Sequence, residues 1–200
     1  MDSATLFLAY SFGIFPWYSK GQPILWWTPD PRCVLWPSEL KVHKSMRSLL
    51  KKKPYTVTAD HAFDQVLSAC QITPRTGQEG TWITEEMRNA YLKLHIAGIA
   101  HSVEVWQDQQ LIAGLYGVSI GKVFFGESMF TTVSNASKYA FILLVRKLES
   151  LDYTLIDCQQ DTPHLRSLGA TLAPRKDFLA HLKKNTLEVT DQGSWYLWDF

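Results

Sequence analysis

The sequence predicts an α/β (α+β) fold in which one mixed sheet carries helices on both faces. Residues 101–130 form three alternating apolar segments joined by the dipeptides "DQ" and "GK", a pattern typical of an antiparallel three-strand meander. Helical and strand patterns then alternate to the C-terminus, as in a β-α-β unit. With 200 residues, the chain is long enough to build one substantial core.

Helices and short strands are predicted to alternate before the meander. The expected elements are a helix at 2–12, a strand at 32–37, a helix within 41–53, a strand at 55–59 and helices at 61–70 and 85–98. Gly13 and Pro16 end the first helix, and residues 73–82 are predicted to form a loop. Thr84 is placed to cap the helix that follows, and Gly98 is placed to stop it.

After the meander, the pattern predicts two helix–strand repeats and a closing helix. The expected elements are an apolar helix at 134–150, a buried strand at 153–159, a short helix at 161–170, a strand at 171–175 and a helix at 176–184.

Composition excludes several functional classes. Hydrophobic residues make up 46% of the chain and charged residues 20%, which are globular values. No apolar run approaches the ~20 residues of a membrane span, and Met1 is not followed by a signal-peptide pattern, so a cytoplasmic protein without membrane contact is expected. The three cysteines are widely spaced and expected to be reduced, and the scattered histidines suggest no metal site. No cofactor is expected.

A basic segment, "KVHKSMRSLLKKK" (41–53), contains six Lys or Arg residues and no acid. Its apolar residues recur at helical spacing, which predicts an amphipathic helix with a cationic face. This face is either simply solvated or binds nucleic-acid phosphates. The candidate phosphate ligands are Lys44, Arg47, Lys51 and Lys52.

An aromatic, proline-rich segment, "GIFPWYSKGQPILWWTPDPR" (13–32), contains three tryptophans and four prolines. So many prolines argue against a buried strand, whereas so many indoles argue against an ordinary solvated loop. The indoles serve either as binding surfaces or as packing groups. For Trp26, Trp27 and Trp36, packing of the segment against the sheet is the preferred interpretation.

The predicted order of elements is similar to that of GNAT-type acyl-CoA N-acyltransferases. In that family, a glycine-rich loop after the meander holds the CoA pyrophosphate at a helix N-terminus. The corresponding segment here, "FTTVSNASKYA" (130–140), contains no glycine. A GNAT-like mixed sheet without this loop indicates an acyl donor other than CoA.

A more specific resemblance runs along nearly the whole chain. The blocks that carry it are "GIFPWY", "PILWWTPDPRCVLWP", "EGTWIT", "HSVEVW", "GLYGVSIGKVFFGESMF", "NASK", "LIDCQ" and "SLGA". In content and order these blocks resemble the leucyl/phenylalanyl-tRNA–protein transferase family. The resemblance implies transfer of Leu, Phe and less well Met from aminoacyl-tRNA to the α-amine of proteins that begin with Lys or Arg. Such products enter N-degron protein degradation.

The same resemblance implies a division into two parts. Residues 1–31 would be the remnant of a small N-terminal domain, since the family's segment before the first helix is missing, and 32–200 would be the GNAT-like catalytic domain. The protein is expected to act as a monomer. Two alternatives stay open at this stage: an acetyl-CoA-dependent N-acetyltransferase and a non-catalytic binder of the aminoacyl-tRNA end.

The resemblance also assigns roles to individual residues. Binding of the aminoacyl-adenosine would fall to Trp17 and Trp82, which contact adenosine and the aminoacyl group, and to the pocket residues Leu115, Phe124 and Ile156. Asp157 and Gln159 are two positions apart on one strand, so their side chains face the same way. The family resemblance implies that Asp157 polarises or orients Gln159, whose amide oxygen accepts a hydrogen bond from the attacking amine. The alternative is that Asp157 is a structural carboxylate at the end of a strand. Either Glu127 pairs with the acceptor's Lys or Arg side chain, or Asp157 makes that pairing and Glu127 holds the surrounding loop by accepting backbone N–H bonds.

Overall fold

A seven-stranded mixed sheet organises the chain. The computed structural model describes residues 1–19, 21–74, 83–190 and 193–200. The strands are β1 (Phe15–Pro16), β2 (Trp26–Trp27), β3 (Arg32–Leu35), β4 (Thr56–Ala59), β5 (Ala100–Gln107), β6 (Gln110–Ile120), β7 (Val123–Thr131), β8 (Leu155–Gln159) and β9 (Thr171–Ala173). The sheet order is β4-β5-β6-β7-β8-β3-β9, while β1 and β2 form a separate two-stranded ribbon.

The central meander is confirmed. Strands β5, β6 and β7 pair antiparallel in sequence order. Asp108 and Gln109 both have positive φ angles, 49° and 63°, as a two-residue turn between twisted strands requires. The second turn begins at Gly121, whose φ is also positive, at 57°.

The strands β7 and β8 pair only briefly. They run parallel, and their pairing covers Val123–Phe125 and Leu155–Asp157. Beyond these residues β7 continues to Thr131 and β8 ends at Gln159, without further pairing between them. A cleft therefore opens in the sheet where these two strands part.

Local signals define the helices as the sequence predicts. They are α1 (Ser3–Ser11), α2 (Lys44–Lys52), α3 (Phe63–Ile72), α4 (Glu85–Ile96), α5 (Ala136–Ser150), α6 (Pro163–Ser167) and α7 (Arg175–Asn185). The Thr84 hydroxyl accepts a hydrogen bond from the Met87 N–H and caps α4. Gly98, with φ of 69°, follows its end. None of the helices in the described ranges is both long and apolar enough to cross a membrane.

Helices cover both faces of the sheet, as expected for the predicted fold class. On one face, buried side chains of α1, α3, α4 and α7 pack against strand residues such as Tyr116 and Phe125. On the other face, α5 and Met46 of α2 pack against Leu115, Phe124 and Ile156. The alternation of side chains along each strand produces these two cores.

The aromatic segment does not pack as the sequence suggested. Trp36 does pack against the core, with its ring edge-on to His181 at 4.9 Å. Trp26 and Trp27, however, are 39% and 44% exposed, so the packing prediction is wrong for these two residues. The reason is that β2 pairs with β1 and not with the large sheet, which leaves both indoles on a projecting ribbon.

Candidate active site

The cleft between β7 and β8 has a volume of about 670 Å³ and receives residues from several elements. Strands β6, β7 and β8 supply its floor, α5 supplies Ser137 and Phe141, and the β1 ribbon supplies a rim. Most of the residues that the sequence singles out for donor and acceptor binding meet here. They are Trp17, Leu115, Phe124, Glu127, Ile156 and Gln159.

An apolar wall forms one side of the cleft. Phe124 and Ile156 are directly paired across β7 and β8, and Leu115 comes from the neighbouring strand β6. All three belong to the same core cluster as Phe141. Gly117 makes room for this arrangement, because a Cβ atom there would lie 2.4 Å from the Phe124 ring. The wall suits a large aliphatic or aromatic group.

Trp17 lies at the rim of the cleft, directly after β1. Its N–H donates to the carbonyl of Leu25 at 2.9 Å, so the ribbon pairing continues through this residue. The side chain is 37% exposed. Trp82, the other predicted adenosine ligand, lies outside the described residues.

Asp157 is fully buried and does not line the cleft. Its carboxylate accepts two hydrogen bonds from Arg32, from Nε to Oδ1 at 2.8 Å and from Nη2 to Oδ2 at 2.6 Å. Arg32 is equally buried, and its guanidinium lies between the rings of Phe15 and Phe178, 4.7 and 4.8 Å from their centroids. The pair thus ties β3 to β8 below the cleft.

Asp157 contacts Gln159 through the backbone. The Gln159 N–H donates to Asp157 Oδ1 at 3.0 Å. Gln159 has a φ of 59°, a left-handed conformation that a residue with a side chain adopts at a cost. The hydrogen bond holds this conformation, so Asp157 fixes the position of Gln159 and not the direction of its amide.

Glu127 sets the direction of that amide. Gln159 Nε2 donates to Glu127 Oε1 at 2.7 Å, which leaves the amide oxygen of Gln159 as the group available to accept a further hydrogen bond. Both residues line the cleft next to the apolar wall.

Two buried tyrosines hold the other oxygen of Glu127. The Tyr91 hydroxyl donates to Glu127 Oε2 at 2.7 Å, and the Tyr10 hydroxyl lies 2.6 Å from that of Tyr91. Burial raises the pKa of Glu127 to about 7, against the lowering effect of hydrogen bonds from the tyrosines and Gln159. Burial, together with the charge of Glu127, raises the pKa of both tyrosines well above the ordinary value, so they remain neutral donors.

The residues that position the site were missed from the sequence. Arg32, Tyr10 and Tyr91 carry no motif of their own, and their partners lie 125, 81 and 36 positions away in the chain. Arg32 stands within "TPDPR", but the segment does not indicate that its side chain is buried.

The predicted basic surface lies outside the cleft. Met46 anchors α2 in the core, and α2 packs against α5, which also lines the cleft through Ser137 and Phe141. The cationic side chains are exposed, and no salt bridge joins them to a residue in the described parts of the chain. These side chains are Lys44, Arg47, Lys51 and Lys52.

Two family profiles match the chain in tandem. Residues 34–183 match the profile described as "Leucyl/phenylalanyl-tRNA protein transferase". Residues 1–30 match "Leucyl/phenylalanyl-tRNA protein transferase N-terminal domain".

Curated relatives are similar over nearly the whole chain. A "Leucyl/phenylalanyl-tRNA--protein transferase" of Syntrophus aciditrophicus (strain SB) is 57% identical over 187 residues, which cover 94% of this chain and 78% of the relative. A protein of the same name from Pseudomonas fluorescens (strain Pf0-1) is 51% identical over 195 residues, covering 98% and 85%. Among solved structures, L-PGS from Bacillus licheniformis superposes with a TM-score of 0.44 and 10% identity, covering 96% of this chain and 64% of that one. Nothing about the chemistry follows from a likeness this distant.

Proposed function

The chain belongs to the leucyl/phenylalanyl-tRNA–protein transferase family, aminoacyltransferases that move Leu or Phe from aminoacyl-tRNA to protein N-termini, and we propose how its cleft performs this transfer. The observation that carries the proposal is the juxtaposition of an apolar wall with the Glu127–Gln159 pair in one cleft. The apolar wall suits the side chain of the aminoacyl group, and the Glu127–Gln159 pair offers hydrogen-bond acceptors to an attacking amine.

The apolar wall binds the side chain of the transferred residue. Leu115, Phe124 and Ile156 offer no polar group, so a charged side chain would lose its hydration without compensation. One methylene changes binding by only ~1–3 kcal/mol, and Met is therefore accepted less well but not excluded. Trp17 and Trp82 contact the terminal adenosine, whose base stacks on an indole face.

The reaction converts an ester into an amide and needs no cofactor. The acceptor's α-amine attacks the ester carbonyl carbon, the bond to the ribose 3′ oxygen breaks, and the amine's proton is passed to that oxygen directly or through water. A free α-amine has a pKa of ~7.7–8.0, so the site must hold it in its neutral form and position its nitrogen for attack on the ester carbonyl carbon. The Gln159 amide oxygen accepts one amine hydrogen, while Asp157 and Arg32 keep the end of β8 in place.

Glu127 selects the acceptor in this proposal. Its two oxygens already accept from Gln159 and Tyr91, but a carboxylate has about four lone-pair positions and can accept further donors. A Lys or Arg side chain entering the cleft would meet this carboxylate, and Arg can engage it with parallel hydrogen bonds. In the alternative assignment, Asp157 pairs with the acceptor side chain and Glu127 only holds the loop. The full burial of Asp157 and its pairing with Arg32 argue against this alternative.

The rest of the tRNA contacts α2. Its exposed cations bind phosphates and add affinity without reading sequence.

The domain division at residues 31 and 32 is also part of the proposal and is supported by the two tandem profile matches. The product, a protein with a new N-terminal Leu or Phe, is marked for degradation.

The direct test measures transfer of labelled Leu from Leu-tRNA to peptides that differ only in their first residue. Arg- and Lys-initiated peptides should be labelled, and an Ala-initiated peptide should be labelled poorly. A protein that retains Leu-tRNA in a gel shift but labels no peptide would be a non-catalytic binder. Acetyl transfer from acetyl-CoA to the same peptides would identify the N-acetyltransferase alternative.

A further inference from the structure

We propose that the exposed face of Trp27 is a second stacking surface, which binds the nucleotide preceding the terminal adenosine in the unpaired 3′ end of the tRNA. This inference rests on the proposed function, since it extends the path of the same substrate beyond Trp17. The sequence pattern suggested only packing for Trp27, and the family match assigns it no role.

Strand register places Trp27 on the same face of the ribbon as Trp17. In the β1–β2 pair, Phe15 lies opposite Trp27 and Pro16 opposite Trp26. Opposed residues of antiparallel strands share a face, and alternate residues along one strand do so too. Phe15, Trp17 and Trp27 therefore share one face. Phe15, Pro16 and Trp17 all line the cleft, so it is the ring contact of Trp27 with Trp17, at 6.2 Å, that brings Trp27 to the rim. Trp26 lies on the opposite face.

The two indoles are arranged for two bases. The rings of Trp17 and Trp27 are 6.2 Å apart and tilted by 57°, so they cannot sandwich one base between parallel faces. The Trp27 Nε1–H donates to the Trp17 carbonyl at 2.9 Å, which fixes the ring while 44% of the residue stays exposed. Such a ring offers an apolar face without an unsatisfied polar group.

Continuity with the cleft identifies the occupant as nucleic acid. When the terminal adenosine occupies the site beside Trp17, the preceding nucleotide must leave the cleft across the adjoining rim. Proteins that hold single strands without sequence preference use successive aromatic side chains for successive bases. A tilted pair of indoles on one rim has this form, and it suits an RNA end whose own base stacking is broken.

The test compares two ligands on matched variants. The short ligand is leucine joined by a hydrolysis-resistant 3′-amide to adenosine, and the long ligand is the same amide on a cytidine-cytidine-adenosine trinucleotide. Trp27→Leu should weaken binding of the long ligand about ten-fold, within the ~1–3 kcal/mol of one base–aromatic stack, and leave the short ligand unchanged. Trp27→Phe keeps a π-face without the N–H and should restore most of the affinity for the long ligand.

Trp26→Leu is the matched control, because Trp26 is similarly exposed and adjacent in sequence but lies on the other face of the ribbon. It should change the affinity for neither ligand.

If Trp27→Leu lowers the affinity for both ligands equally, Trp27 only supports Trp17. Unchanged affinity for the long ligand would also overturn the proposal. A raised KM for the acceptor peptide with unchanged trinucleotide affinity would assign the surface to the peptide. Since binding is measured without turnover, a wild-type protein that fails to transfer Leu would refute the proposed function separately.

Discussion

The buried Arg32–Asp157 pair should dominate the response of the fold to mutation around the site. Both side chains are fully buried, and two hydrogen bonds of 2.8 and 2.6 Å join them. Arg32→Met removes the positive charge and leaves a carboxylate whose one remaining hydrogen-bond partner among the described residues is the Gln159 N–H. Leaving one member of a buried ion pair unpaired costs about 3–5 kcal/mol, so we expect a loss of this size in the free energy of unfolding.

Urea unfolding of four proteins tests this expectation: wild type, Arg32→Met, Asp157→Leu and the double variant. The double variant removes both charges and should be more stable than either single variant, because two apolar groups replace a desolvated ion pair. It should remain about 1–3 kcal/mol below wild type, because the Gln159 N–H loses its Asp157 acceptor. Arg166→Met, which breaks the exposed pair with Asp161, is the matched control and should have little effect. Cooperative unfolding of Arg32→Met with a loss below about 1 kcal/mol would refute the reasoning.

The remaining predictions concern the substrates and pH. Trp17→Ala should raise KM for aminoacyl-tRNA while circular dichroism shows an intact fold; an unchanged KM would remove Trp17 from the site. Each single replacement by Gln in α2 should lower the salt slope of tRNA binding by ~0.7–0.9, and four unaltered slopes would leave a merely solvated helix; the variants are at Lys44, Arg47, Lys51 and Lys52. Because burial raises the Glu127 pKa to about 7, the folded protein holds this proton where the unfolded chain has lost it. The contribution of Glu127 to the free energy of unfolding is therefore fully present below about pH 4.5 and is lost as pH rises through 7. It amounts to about 3 kcal/mol at most. Glu127→Gln should abolish this part of the dependence in urea titrations from pH 4 to 8, and an identical slope in the variant would contradict the assignment. The same variant should lose kcat/KM for Arg- and Lys-initiated peptides but change little for an Ala-initiated one, whereas equal losses would indicate that Glu127 only holds Gln159.

The sheet and most helices could be predicted because their signals are local. The strand 110–120 has the bounds that alternation and its flanking turns predict, and Thr84 caps α4 as its position before an apolar-periodic segment suggests. The apolar wall could also be predicted, because the family resemblance named Leu115, Phe124 and Ile156 and strand pairing brings them together. Patterns within some fifteen residues carry this information.

The interior of the site could not be predicted, because its contacts join distant parts of the chain. Nothing near Asp157 in sequence indicates a fully buried carboxylate, since the Arg32 that neutralises it is 125 positions away. The packing prediction for Trp26 and Trp27 was wrong for a related reason. Their composition suggested packing, but whether a strand pairs with the large sheet or with a neighbouring segment depends on tertiary structure.

A single hydrogen-bonded chain links the first helix to the acceptor chemistry. Tyr10 on α1 contacts Tyr91 on α4, Tyr91 donates to Glu127, and Glu127 accepts from Gln159. With a pKa of about 7, Glu127 is only partly ionised near neutral pH before an acceptor binds. A cationic acceptor side chain would favour the ionised form and so lower that pKa, whereas a neutral side chain would not. Binding of a Lys- or Arg-initiated acceptor thus promotes the ionisation of Glu127, and the ionised carboxylate binds that acceptor. The hydrogen bonds from the buried tyrosines lower the Glu127 pKa against the effect of burial, which keeps this ionisation possible near neutral pH.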